Sequence, residues 1–183
     1  MKMKYPNKTK TIYSKSISYA NRGMDLERLL DLSNQYYLDT NRAVIYKKPT
    51  PIGINKMKYS PSPVIENAFF KEHSTLDYNG IYKAKYIEFD AKETKSKTAF
   101  PLSNIKIHQI EHLKKIIEHG GICFLIIMMA NEIYLLPWEK FIKFINENER
   151  KSIPINYFLN NGYLLKYTYN PVLNYLEIID RIY

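Results

Sequence analysis

Glu72-His73-Ser74-Thr75-Leu76-Asp77-Tyr78-Asn79-Gly80, followed by Tyr86-Ile87-Glu88-Phe89-Asp90-Ala91-Lys92-Glu93, decides how the rest of the chain is read. The second half alternates like a strand. Side chains on a strand point to opposite faces in turn, so Asp90 and Lys92 share a face, about 7 Å apart. Ile87, Phe89 and Ala91 point the other way, into a core. The polar face is expected to be open to solvent. Two carboxylates that converge, here Asp77 and Asp90, can hold a hard divalent cation such as Mg2+, which prefers oxygen ligands. A lysine beside them can touch a phosphate oxygen or the attacking water. Together these parts suit phosphodiester hydrolysis.

That chemistry demands a particular turn. Asn79-Gly80 is the strongest short hairpin signal in the region. A turn there leaves Asp90 about 27 Å from the partner of Asp77, and no ion bridges that gap. For Asp77 to face Asp90, the turn must lie at Lys83-Ala84. The expectation is therefore the weaker local signal.

Further short motifs surround the segment: Asn21-Arg22-Gly23-Met24, Lys48-Pro49-Thr50-Pro51, Phe100-Pro101-Leu102 and Arg150-Lys151-Ser152-Ile153. With Asp77 and the later Asp90-x-Lys92, this series resembles the RecU-type Holliday junction resolvases of the PD-(D/E)xK nuclease superfamily, from about Asn21 to the C-terminus. The resemblance implies an α/β fold, with a restriction-endonuclease-like central mixed β-sheet flanked by helices and a projecting basic stalk. The implied organisation is a flexible basic arm over residues 1–20 and a single nuclease domain over 21–183, with the stalk inserted at about 48–73. This chain departs from the family in having Asp90 where glutamate is usual and Ala84 where glycine is usual.

The bulk numbers agree with one globular domain. The chain has 183 residues, 45% of them hydrophobic, enough for a full core. Net charge is +9, from 27 basic and 18 acidic residues. A basic domain favours a polyanionic partner such as nucleic acid; a coding bias toward Lys, Asn, Ile and Tyr is the other reading. The single cysteine, Cys123, allows no internal disulfide and fits a reducing cytoplasm. It is expected to be an inert buried thiol. No apolar run follows the Lys-rich start, so a signal peptide is not expected, and the apolar run Ile122 to Ala130 is too short to span a bilayer.

Helical spacing of Leu26, Leu29, Leu30, Ser33 and Tyr37 predicts a first helix from about Gly23 to Leu38, capped by Asn21. Glu27 on it either approaches the metal site, as a glutamate does in the wider superfamily, or is a solvated helix charge. Ala43 to Tyr46 reads as a short strand. Pro49, Pro51, Pro61 and Pro63 in the segment that follows forbid a helix and disfavour a central strand. Phe69 and Phe70 either brace the base of this segment or join the core. After the acidic strand, Lys95 and Lys97 suit a phosphate-facing loop. Ser103 or Asn104 is expected to cap the next helix, which buries Ile107, Ile110, Leu113 and Ile117 and closes at Gly120-Gly121. His108 and His112 have a spacing that can bind zinc, but are read as incidental. Ile122 to Met129 and Glu132 to Leu136 read as a buried hairpin turning at Ala130-Asn131. Pro137-Trp138 opens a helix through Ile145, with Trp138 as core. The helical Tyr175 to Ile182 packs on the sheet or joins a subunit interface.

The resemblance implies a structure-specific endonuclease that resolves Holliday junctions in recombination and repair, leaving 5′-phosphate ends. Asp77, Asp90 and Lys92 would be catalytic. Thr75, Asp77, Asp90 and Gln109 would hold Mg2+, with Mn2+ as substitute. Arg22, Lys47, Lys48, Lys56, Lys58, Lys71, Lys95, Lys97, Arg150 and Lys151 are the candidate DNA contacts. The implied partners are a four-way DNA junction, a second copy of the chain in a homodimer, RecA and RuvAB, with no membrane. Two other readings stay open: a non-catalytic protein that binds branched DNA, and a restriction-type nuclease of the same superfamily.

Overall fold

The computed structural model describes residues 25–71 and 75–183. The expected arm over residues 1–20, the cap Asn21 and Arg22 lie outside them. The elements in order are α1 (Leu26–Asp39), β1 (Val44–Lys47), β2 (Ile52–Lys58), β3 (Val64–Phe70), β4 (Tyr78–Tyr82), β5 (Lys85–Thr94), β6 (Ala99–Pro101), a 3-10 turn (Leu102–Asn104), α2 (Ile107–Glu118), β7 (Ile122–Met129), β8 (Glu132–Pro137), α3 (Trp138–Glu147), β9 (Ser152–Pro154), α4 (Ile155–Asn161), β10 (Tyr163–Leu165) and α5 (Tyr175–Ile182).

The decisive hairpin turns at Lys83-Ala84. Tyr82 pairs with Lys85 and Tyr78 with Phe89, which brings Asp77 to Asp90. Lys83 and Ala84 have φ of 47° and 61°, left-handed at both central positions, as a hairpin turn that follows the strand twist requires. Gly80 has a different job. A Cβ there would lie 2.0 Å from the Val44 carbonyl oxygen and 2.7 Å from Ile45 Cα. Gly80 is a glycine because β1 runs close against it.

Among the described residues, the main sheet has six strands in the order β1-β4-β5-β7-β8-β10. It is mixed: β5 and β7 are parallel, and the other pairs antiparallel. Helices cover both faces, so β7 is apolar throughout, as expected for a central strand. On one face Ile87, Phe89, Phe124 and Ile126 pack under Leu26, Leu29 and Leu30 of α1 and Tyr175, Leu176 and Ile179 of α5. Helix α5 thus packs on the sheet. Phe89 stacks between Tyr78 and Phe124, with ring centroids 5.0 and 4.7 Å away. On the other face Cys123, Leu125 and Ile127 lie under Leu113 of α2, Trp138, Phe141 and Phe144 of α3, and Phe158 of α4. Burial raises the Cys123 thiol pKa, as befits an inert thiol.

Helix α1 starts at Leu26, later than expected, and Asp25 rather than Asn21 caps it, accepting from Arg28 N at 2.9 Å. Glu93 at the end of β5 accepts from Leu26 N, so a carboxylate docks the positive end of the helix on the strand. The hairpin β7–β8 turns at Ala130 and Asn131, both left-handed. Helix α2 ends as expected, with Gly120 left-handed and Gly121 N donating to Ile116 O.

Among the described residues, strands β2 and β3 pair only with each other, forming an exposed ribbon with Pro61 and Pro63 in its connecting loop. Phe69 and Phe70 stay exposed at its root, opposite Gly53 and Ile52, and do not join the core.

Three further expectations are corrected. The polar face of β5 is not open: α2 lies over it, and Glu88 and Asp90 are fully buried. Neither Ser103 nor Asn104 caps α2. They sit in the 3-10 turn, and the Gln109 side chain accepts from Lys106 N at 3.0 Å instead. Ile107 is 76% exposed, while Gln109 and Leu113 are buried. The physical reason is the strand beneath. A helix lying over Glu88 and Asp90 turns Gln109 and His112 toward them, which rotates Ile107 out to solvent.

Candidate metal centre

Asp77 stands just before β4, and Asp90 and Lys92 share one face of β5. Asp77 Oδ2 accepts from Ala91 N at 3.1 Å and from Lys92 Nζ at 3.3 Å. Lys92 Nζ lies 2.7 Å from Asp90 Oδ2. One ammonium group therefore reaches both carboxylates. Asp90 is buried; Asp77 and Lys92 are about three-quarters covered. Burial, and then the neighbouring Asp77, push the Asp90 pKa up. Burial pushes Asp77 up too, but the neighbouring Asp90 carboxyl and the charge of Lys92 more than offset it and hold Asp77 low. Burial opposes the charge on Lys92, and both carboxylates restore it. Like charges this close divide one proton between them.

One atom of this group is left over. Asp90 Oδ1 is buried without a hydrogen-bond partner, although buried acceptors are nearly always satisfied. A cation between Asp77 and Asp90 would satisfy it. Among the described residues no three His, Cys, Asp or Glu side chains gather as ligands. Mg2+ is commonly bound through one or two carboxylates while keeping several waters, so the donor set fits that ion.

Thr75 and Gln109 adjoin the pair, but their polar groups are engaged. Gln109 Nε2 donates to Thr75 O at 2.8 Å and lies 3.4 Å from Asp90 Oδ2, while its Oε1 accepts from Lys106 N. Thr75 Oγ1 meets Lys48 Nζ. Glu27 is half exposed and pairs with Lys47 at 2.5 Å. Sequence reasoning misses Glu88, although it stands two residues before Asp90 on the same face. Its carboxylate takes Lys48 Nζ at 2.7 Å, Tyr86 OH at 2.7 Å and His112 Nε2 at 3.1 Å. Burial raises the Glu88 pKa, but Lys48, Tyr86 and His112 together hold it below the usual range.

The family model for recombination protein U, RecU, matches residues 21–181. The chain belongs to the RecU family. It is 49% identical over 185 residues to Holliday junction resolvase RecU of Bacillus cytotoxicus, covering 97% of this chain and 91% of that one. With Holliday junction resolvase RecU of Geobacillus kaustophilus it shares 43% identity over 197 residues, covering 100% and 98%. A solved archaeal resolvase, Hjc of Archaeoglobus fulgidus, aligns with 74% of this chain and 94% of its own at 10% identity and a TM-score of 0.40, a likeness too slight to build on.

The basic residues of this chain fall into distinct settings. Lys56 pairs with Glu66 across the ribbon at 2.8 Å, and Lys58 and Lys71 are exposed at its two ends. Lys95 and Lys97 are exposed on the loop after β5. Pairing of β6 with β9 sets Pro101 opposite Ser152, which brings the exposed Arg150 and Lys151 beside Leu102; Lys151 O accepts from Leu102 N. Lys48 differs from the rest. Its sequence setting puts it among the DNA contacts, but its ammonium turns inward to Glu88 and Thr75.

Proposed function

We propose that the protein is a divalent-metal-dependent endonuclease that resolves four-way DNA junctions in recombination and repair. The observation that carries this is the meeting of Asp77, Asp90 and Lys92 around a buried carboxylate oxygen with no partner. Similarity to proteins named Holliday junction resolvase RecU supports the choice of substrate.

Asp77 and Asp90 would hold Mg2+, or Mn2+ in its place, with Thr75 and Gln109 at the margin of the site. The bound ion supplies a Lewis acid and lowers the pKa of a water. Lys92, kept charged by both carboxylates, faces the phosphate and stabilises the negative charge that builds on it. Its position in a largely covered site strengthens that interaction, because water screens it less. Cleavage leaves 5′-phosphate and 3′-hydroxyl ends. The exposed ribbon carries Lys56, Lys58 and Lys71 toward the junction centre, while Lys95, Lys97, Arg150 and Lys151 hold backbone phosphates. A junction has two-fold symmetry, so a symmetric homodimer presents matching sites to two strands. RecA and RuvAB are the proteins to test as partners. Among the described residues no helix is long and apolar enough to cross a membrane, and the proposed place of action is the cytoplasm.

The test uses a labelled four-way junction and a linear duplex of the same sequence, each with and without Mg2+. Junction cutting that needs Mg2+, spares the duplex and falls by about a hundredfold or more in Lys92→Ala is expected. Metal-independent binding with no cutting, or full-rate cutting by Asp77→Ala, overturns the proposal.

A further inference from the structure

The pair formed by the partly covered Lys48 and the buried Glu88 lies outside the reaction just described. We infer that it is a bracket that positions the metal-holding arm Thr75–Asp77 against Asp90. The inference rests on the reading of Asp77 and Asp90 as the pair that holds the ion.

Lys48 grips this arm at two points. Its backbone N donates to Asp77 O at 2.7 Å, one step beyond the last β1–β4 pair, Lys47 with Tyr78. Its ammonium meets Thr75 Oγ1. The same ammonium lies 2.7 Å from Glu88 Oε1, and Glu88 is the fixed end. It is fully buried on the central strand β5, two residues from Asp90 and on the same face. Tyr86 OH holds Oε2 at 2.7 Å, and His112 Nε2 lies 3.1 Å from both oxygens. Asp90 Oδ1 has no partner, whereas both Glu88 oxygens are occupied. Glu88 is thus built to hold protein groups and leaves the ion to its neighbour.

A lysine reaching for phosphate keeps its ammonium in water. Lys48 instead commits its charge to a carboxylate with no exposed surface, and removing one member of such a pair leaves the other buried and uncompensated. Lys48 also opens the stretch Pro49 to Pro51 that leads into β2. The root of the ribbon and the arm that carries Asp77 therefore share one anchor. Lys48 and Glu88 act through Thr75 and Asp77 and are positioning residues.

The test measures Mn2+ binding to the full chain by calorimetry without DNA, junction affinity by fluorescence anisotropy in EDTA, and the melting temperature. The variants are Lys48→Met, Glu88→Gln, the double variant and Lys48→Arg. Groups that orient metal ligands typically change metal affinity about 10–100-fold when removed. Both single variants are expected to weaken Mn2+ binding by that order, with metal-free junction affinity unchanged. The double variant should weaken it no further than the singles, because the pair acts as a unit, and Lys48→Arg should recover part of the loss. Glu88→Gln keeps a group for Tyr86 and His112, so it serves if Lys48→Met fails to fold. Reduced junction affinity in EDTA with intact Mn2+ binding would make Lys48 a phosphate contact and overturn the inference. Unchanged Mn2+ affinity with lowered melting would make the pair merely structural and overturn it as well. A wild-type chain that binds no Mn2+ would instead sink the metal-holding reading beneath it.

Discussion

The hairpin that brings Asp77 to Asp90 can be tested by moving one methyl group at two positions, Ala84→Gly and Gly80→Ala. Ala84 sits at φ 61°, a left-handed conformation that costs an L-residue roughly 1–2 kcal/mol. Glycine removes that cost, and its greater freedom in the unfolded chain returns about 0.5–1 kcal/mol. The net expectation is a gain of roughly 0.5–1 kcal/mol, or about 1–4 °C in melting temperature for a domain of this size. At Gly80 the added carbon would fall 2.0 Å from a carbonyl oxygen of β1 and 2.7 Å from a Cα. Both neighbours are backbone, so β1 itself must shift. That places the loss at the upper end of overpacking, about 3 kcal/mol or more, and about 6 °C or more in melting temperature. Circular dichroism melts of the two variants and the wild type read both effects. A turn at Asn79-Gly80 predicts the reverse order, because Gly80 would then hold the left-handed position. If Ala84→Gly destabilises and Gly80→Ala is tolerated, the register is wrong, and with it the approach of Asp77 to Asp90.

Phe89→Ala removes the middle ring of the stack formed with Tyr78 and Phe124; urea unfolding should show a loss of roughly 3–5 kcal/mol. Replacing both Lys95 and Lys97 by alanine should weaken junction binding across sequences and lower the slope of log affinity against log salt by about one for each phosphate no longer neutralised; an unchanged slope would remove that loop from the DNA surface. Burial raises the Asp180 carboxyl, but hydrogen bonds from Lys83 and Tyr82 outweigh it and hold its pKa below the usual value. A depressed carboxylate stabilises the fold above its unfolded pKa, near 4, and that contribution is lost as pH falls through the folded value. Wild type should therefore lose more melting temperature on acidification than Asp180→Asn, and equal acid sensitivity would show that these hydrogen bonds add nothing.

Alternation along Tyr86 to Glu93 is enough to put Asp90 and Lys92 on one face, because strand geometry repeats every two residues. The hairpin at Ala130-Asn131, the Gly120-Gly121 helix end and the core face of α1 are legible for the same reason: each is set by neighbours a few residues apart. Helix α2 is not, since hydrophobic spacing chooses Ile107 as an inward residue. The floor beneath that helix is acidic, so Gln109 and His112 turn inward instead. Glu88 escapes notice although it shares the face of Asp90, because nothing local shows whether a carboxylate on an alternating strand is wet or covered.

The order of residues alone supplies the inventory: a basic chain, an acidic strand followed by a lysine, and motifs that resemble one nuclease family. What each charge does is settled by the assembled fold. Lys47 and Lys48 are adjacent and identical in type, yet one pairs with Glu27 at the surface and the other with a buried glutamate. Likewise Asn79-Gly80 is locally the better turn, and it yields because β1 lies against Gly80. Propensity is summed over a few neighbouring residues. Burial and charge pairing depend on segments far apart in the chain, which meet only when the sheet is assembled.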